Sequence, residues 1–198
     1  MSRHSAKPQR RLAGAPQQLR IIGGQWRGRK LPVVTATGLR PTSNRLRETL
    51  FNWLQTRIYQ THCLDLYAGS GALGLEALSR GAAHCTFVER QPVALRALEE
   101  SIDLLGAHQV SQVIGASALD WLGSTPQSFD GVFIDPPFDQ DLWEDSLQTL
   151  RSRLNPGAWV YLERPSGYSA PWLQDWDVLR ESRAGESLGC LLQLPPGD

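Results

Sequence analysis

The stretch from Cys63 to Arg80 limits the fold more than any other part of the chain. A short apolar run, Cys63 to Tyr67, leads straight into Ala68-Gly69-Ser70-Gly71-Ala72-Leu73-Gly74, and a helical pattern from Leu75 to Arg80 follows. A strand that passes through glycines into a helix lets the backbone approach a ligand closely at the helix start. Gly69, Gly71 and Gly74 keep the GxGxxG spacing, which serves NAD enzymes and S-adenosylmethionine enzymes alike and does not choose between them.

The alternation begun there continues. Cys85 to Val88 reads as a strand ending in Glu89, and Pro92 opens a helix to about Leu105, as proline at a first helical position does. Val110 to Ile114 is a strand, Ser117 begins a helix, and Phe129 to Ile134 is a strand. Asp141 to Leu154 is helical, Ala158 to Glu163 is a strand, and Trp176 to Arg183 with Leu188 to Leu194 form a closing hairpin around Gly185. This order predicts an α/β fold, a doubly wound and mostly parallel seven-stranded sheet with the hairpin at one edge. Ligands of such sheets sit at the carboxyl ends of the strands. Glu89, 20 residues after Gly69, is placed to take both hydroxyls of a ribose; an exposed charge in a β-to-α loop is the blander alternative. The helix start at Ser117 and Ala118 lies over the same crevice.

Asp135-Pro136-Pro137-Phe138 ends the apolar run Val132-Phe133-Ile134. Proline lacks the N–H and biases its predecessor toward extended geometry, so the ladder stops and the chain turns sharply. The turn gathers acceptors, the Asp135 carboxylate and the carbonyls of the proline corner, beside a flat ring at Phe138. Such a group suits a planar ring bearing an exocyclic NH2. A strand-capping turn in which Asp135 bonds its own backbone is the equal alternative at this point.

Net charge is zero, with 20 basic and 20 acidic residues, yet the charges are segregated. The first 47 residues carry eleven Lys and Arg and no acidic residue, and the remainder carries a net −11. A polarity this strong points to a polyanion at one end. Residues 1–18 read as a flexible basic arm, and 19–60 as a small basic extension of the domain at 61–198. In the extension, Leu19 to Val34 suggests two short strands with a glycine-rich bend, carrying Arg20, Arg27, Arg29 and Lys30. Trp26 either stacks on a base or anchors the ribbon to the main domain. Thr42 or Ser43 is placed to cap a helix with Leu46, Leu50, Trp53 and Leu54 on one face. Arg40, Arg45 and Arg47 near its start oppose the helix dipole and call for a phosphate or a nearby carboxylate.

A chain of 198 residues suits one α/β domain. It has no apolar run approaching ~18 residues, and its basic start is not a secretory signal, although an Arg-rich transit peptide stays open. Cys63, Cys85 and Cys190 are scattered, fit core thiols of a reducing compartment and supply no metal spacing. A cytoplasmic, metal-free protein is expected, and nothing strongly suggests an oligomer, so a monomer is expected.

With these motifs in view, Leu64-Asp65-Leu66-Tyr67-Ala68-Gly69-Ser70-Gly71 together with Asp135-Pro136-Pro137-Phe138 resembles the class I S-adenosylmethionine methyltransferases acting on exocyclic amines. More narrowly, Arg20-Ile21-Ile22-Gly23-Gly24-Gln25-Trp26-Arg27-Gly28-Arg29, Leu39-Arg40-Pro41-Thr42 and Arg45 to Leu54 resemble the bacterial small-subunit ribosomal RNA guanine-N2 methyltransferases of the RsmD type. The likeness runs from about Arg20 to the terminal hairpin. It implies S-adenosylmethionine as cofactor and a guanine of 16S rRNA, in the 30S subunit or an assembly intermediate, as target. It implies that Asp65, Ala68, Gly69, Ser70, Gly71 and Gly74 belong to the cofactor site, with Glu89 at the ribose and Ser117 and Ala118 at the adenine. Asp135, Pro136, Pro137 and Phe138 would carry the reaction. Arg20, Trp26, Arg27, Arg29, Lys30, Arg40, Arg45 and Arg47 would meet RNA. Ser117 departs from the Asn or Asp common in the family at that position. The rivals are DNA adenine-N6 or protein glutamine methylation, an NAD enzyme, and a non-catalytic RNA-binding assembly factor.

Overall fold

The computed structural model describes residues 18–32 and 44–195. The arm up to residue 17, Arg40 and the expected caps Thr42 and Ser43 lie outside the described residues.

In chain order, β1 (Gln18–Arg20) and β2 (Lys30–Pro32) form an antiparallel ribbon in which Leu19 faces Leu31. Helix α1 (Asn44–Trp53) follows, then β3 (His62–Asp65), α2 (Ala72–Ser79), β4 (His84–Val88), α3 (Pro92–Leu105), β5 (Ser111–Ile114) and α4 (Ala118–Ser124). The chain continues with β6 (Phe129–Ile134), α5 (Trp143–Leu150), β7 (Leu154–Pro165), β8 (Asp177–Ala184) and β9 (Ser187–Gln193). The main sheet has seven strands, as the alternation predicted, in the order β5-β4-β3-β6-β7-β9-β8. It is parallel except for β9, which pairs antiparallel with both β7 and β8.

Helices cover both faces of the sheet, which is why its central strands read as unbroken apolar runs. Val132, Phe133 and Ile134 of β6 are all fully buried. Phe133 joins Cys63, Tyr161 and Leu191 in one core layer beneath Leu50, Leu75 and Leu98 of α1, α2 and α3. Val132 and Ile134 join Leu64, Val160 and Leu162 in the other, beneath Leu122 and Leu147 of α4 and α5. Cys63, Cys85 and Cys190 are buried free thiols, and burial pushes the Cys63 thiol up to about 12.

Two boundaries differ from the sequence reading. The helix expected over Asp141 to Leu154 is α5 plus a 3-10 turn at Arg151–Arg153. Strand β7 starts at Leu154 because an irregularity interrupts its pairing: Phe129 faces Leu154 but Gly131 already faces Trp159, with Gly157 at φ 79° in the excess.

The ribbon is built into the domain. Leu19, Ile21 and Leu31 belong to the same core layer as Phe51, Leu73 and Leu78. Glu76, fully buried in α2, accepts the N–H groups of Ile22 (2.7 Å) and Gly23 (2.8 Å) and pairs with Arg80 Nε at 2.7 Å. Gln25 and Trp26 donate their backbone N–H groups to the carbonyl and hydroxyl of Ser79. Gly24 passes so close that a Cβ there would lie 1.7 Å from the Ser79 carbonyl oxygen. Trp26 packs against the core, the anchoring alternative.

Arg47 corrects an expectation. It is 1% exposed, so it is not on the surface as an RNA contact. Its Nη2 donates to the Arg20 carbonyl (2.7 Å) and to Asn44 Oδ1 (3.0 Å). Burial lowers its pKa, and the charge of the Glu76 carboxylate opposes the lowering. Among the described residues no helix is long and apolar enough to cross a membrane.

Candidate active site

The chain order sets where a ligand can enter. From β3 the chain winds outward through β4 to β5, then returns to lay β6 on the other side of β3. The connections after β3 and after β6 therefore diverge to opposite faces, and a crevice opens between them at the carboxyl ends. The glycine loop follows β3 and the proline corner follows β6. Leu66 donates its N–H to the Phe133 carbonyl at 3.1 Å, so the two turns leave the sheet side by side.

A cleft of about 380 Å3 occupies this place. Its walls come from the ends of four neighbouring strands: Leu66 and Tyr67 after β3, Val88 and Glu89 at β4, Asp135 to Phe138 after β6, and Glu163 on β7. Ser117, Ala118 and Leu119 at the start of α4 close one side. Arg90 and Gln140 bridge the two rims through a hydrogen bond of 3.2 Å. Thus Glu89, Ser117, Ala118, Asp135, Pro136, Pro137 and Phe138 meet in one cleft, as the sequence suggested. Among the described residues no three His, Cys, Asp or Glu side chains are grouped to hold a metal ion.

Asp65, Ala68, Gly69, Ser70, Gly71 and Gly74 are arranged differently. None is among the residues that line the cleft; they form the loop behind it. Gly69 (φ 52°) and Gly71 (φ 75°) take the left-handed conformation that glycine tolerates. Gly69 donates its N–H to Glu89 Oε2 at 2.8 Å, and Gln91 donates to Oε1 at 2.6 Å, so Glu89 ties the loop to the cleft. Asp65 accepts the Gly74 N–H at 2.9 Å in the interior, where burial raises its pKa to about 7. Gly74 is a packing glycine: a Cβ there would fall 2.3 Å from Phe87 and 2.7 Å from Cys85. Asp65 and Gly74 shape the loop from behind.

At the proline corner Asp135 is half-buried and Pro136 buried. Gln140 donates its N–H to the Pro137 carbonyl at 3.2 Å. The Phe138 ring leans on Trp143, centroids 5.9 Å apart, and the Trp143 indole donates to the Glu163 carbonyl at 2.7 Å. Sequence reasoning missed Glu163 and Tyr67. Both stand at carboxyl ends of strands beside the crevice, and that position was the available signal. The Tyr67 hydroxyl shares a hydrogen bond of 2.7 Å with Ser146 of α5.

A strand order of this kind, with a proline corner lining the cleft and a glycine loop tied to it through Glu89, defines a Rossmann-like class I methyltransferase. Residues 19–193 match the family model described as "Conserved hypothetical protein 95", and the chain belongs to that family. It is 43% identical over 177 residues to ribosomal RNA small subunit methyltransferase D of Haemophilus influenzae, covering 86% of this chain and 91% of that one. To the Escherichia coli K12 protein of the same name it is 44% identical over 172 residues, covering 85% and 86%. The solved structure of the Escherichia coli methyltransferase yhhF superposes with a TM-score of 0.80 at 43% identity, covering 90% of this chain and 98% of that chain.

Proposed function

We propose that this enzyme moves a methyl group from S-adenosylmethionine to the exocyclic N2 amine of a specific guanine in 16S rRNA. It acts as a cytoplasmic monomer on the 30S subunit or a late assembly intermediate. The observation that carries the reading is the convergence of Glu89 and the Asp135-Pro136-Pro137-Phe138 corner on one cleft. The donor set fits the cofactor: Glu89 offers its carboxylate to the ribose hydroxyls, and the apolar wall of Val88, Ala118 and Leu119 suits the adenine ring. Ser117, exposed at the N-cap position of α4, lies where the adenine amino group would be read. Bound there, the cofactor supplies an electrophilic methyl group on a sulfonium.

The guanine N2 amine is a poor nucleophile because its lone pair is delocalised into the ring. Asp135 and the Pro136 carbonyl accept its two hydrogens and favour a tetrahedral nitrogen with its lone pair aimed at the methyl. Holding the two atoms in line at contact distance then removes much of the barrier. Asp135, directly or through a water, receives the proton the amine releases. Phe138 stacks on a base extruded from its helix. Away from the cleft, the exposed cations Arg20, Arg27, Arg29, Lys30 and Arg45 grip phosphates of the same RNA.

Tritium transfer from labelled S-adenosylmethionine into unmodified 30S particles, DNA and protein tests the reading. Label should enter 16S rRNA alone; label in DNA or protein without RNA would contradict it.

A further inference from the structure

Glu163 is a carboxylate that the reading above does not use. It is 3% exposed, yet it lines the cleft beside the proline corner. Strand β7 pairs in parallel with β6 as far as Ile134 facing Leu162; Asp135 and Glu163 follow these two residues, both line the cleft, and both carboxylates act on the Tyr161 hydroxyl. Parallel strands lie about 4.8 Å apart, so the two carboxylates can address neighbouring donors on one base edge. Glu163 is also held. Tyr161 donates its hydroxyl to Oε2 at 3.1 Å, and the Trp143 indole fixes the backbone carbonyl of the same residue. A carboxylate offers about four lone-pair sites, so it can accept from a ligand as well as from the phenol.

We propose that Glu163 reads the base: it accepts the ring N1–H of guanine while Asp135 and Pro136 take the N2 amine. The inference rests on the guanine reading and deepens it. Guanine presents N1–H next to its amine, two kinds of donor side by side. Adenine presents a lone pair at N1 next to N6, and a glutamine side chain presents a carbonyl oxygen next to its amide nitrogen. A buried carboxylate attracts the first and repels the other two, since a site built to bond a hydrogen rejects an analogue that lacks it. The same corner sequence can thus serve different amines, and the residue on the neighbouring strand decides which.

The test uses 30S particles whose 16S rRNA carries guanosine or 2-aminopurine at the target position. 2-Aminopurine keeps the N2 amine and has a lone pair at N1. The parent protein should methylate the 2-aminopurine particle at least about tenfold more slowly. In Glu163→Gln, whose amide can donate to that lone pair, the ratio should close to within about threefold. Calorimetry with S-adenosylmethionine confirms that the variant retains its cofactor site. Equal rates on both particles for the parent protein would overturn the proposal without reference to any variant. So would an unchanged ratio in E163Q, or an E163Q that binds cofactor and is inactive on both. No transfer by the parent to the guanosine particle would instead mark the failure of the underlying reading.

Discussion

Asp65 ends β3 and Asp135 follows the adjacent β6, at the same end of the sheet, and their surroundings differ. Asp135 lines the cleft, whereas Asp65 is buried behind it and bonded to the Gly74 N–H. On the proposed mechanism Asp135 is an acceptor needed only for the amine, and replacing it with Ala removes that acceptor. Methyl transfer should fall by on the order of 100-fold or more while the cofactor dissociation constant stays within about threefold. Single-turnover rates and calorimetry check this, and near-parent rates would exclude the role. For Asp65, burial raises the folded-state pKa to about 7, well above the unfolded value near 4. The stability tied to this proton is complete below about pH 4 and is lost as the pH rises through about 7. Asp65→Asn keeps an acceptor for Gly74 without the charge, so it should gain on the parent between about pH 5 and pH 8. Urea midpoints across that range measure the gain, and a constant difference would contradict it. Both aspartates were visible in the sequence, but only the corner after β6 signalled where its carboxylate would lie, in the cleft. Asp65 sits inside the glycine motif, and nothing local says that its carboxylate turns inward to Gly74.

At the scale of elements, the buried carboxylate of α2 holds the N-terminal ribbon. Glu76 accepts two ribbon N–H groups and neutralises Arg80, with Arg47 nearby. Glu76→Ala leaves these donors and cations buried without their anion, and breaking such a group costs about 3 to 5 kcal/mol. Urea unfolding should register that loss; a change under about 1 kcal/mol would mean the ribbon is held by its apolar contacts alone. The fold class, the number of strands and most element limits were legible because apolar periodicity and glycine loops are local signals, whereas the order of the strands came only from the structure. The early start of β7 was not, since the Gly157 irregularity interrupts the apolar pattern. The burial of Arg47 was hidden as well, because the groups that enclose it come from β1 and α2, far along the chain. One clue was present: Ala72 to Ser79 is apolar nearly all round, and a lone Glu in such a helix is enclosed with whatever pairs with it.

At the scale of the molecule, the proposed function gives the basic N-terminal segment the work of holding RNA and the acidic remainder that of enclosing the reaction. The bend of the ribbon rests at the carboxyl end of α2, so Arg27 lies at the far end of that helix from the glycine loop. RNA that meets the bend and the cleft together must therefore run at least about 12 Å along the surface. Charge reversal at Arg27 and Arg29 should weaken 30S binding and reduce the slope of log K against log salt by about 1 to 2. An unchanged slope would make the ribbon purely structural. The central claim is that the cleft between the first glycine turn and the proline corner methylates a guanine amine of 16S rRNA. Mass-spectrometric mapping of 16S rRNA, after unmodified 30S particles are incubated with the purified protein and S-adenosylmethionine, tests it most directly. The account predicts N2-methylguanosine at a single position; methylation at another base or another guanine atom, or none at all, would contradict it.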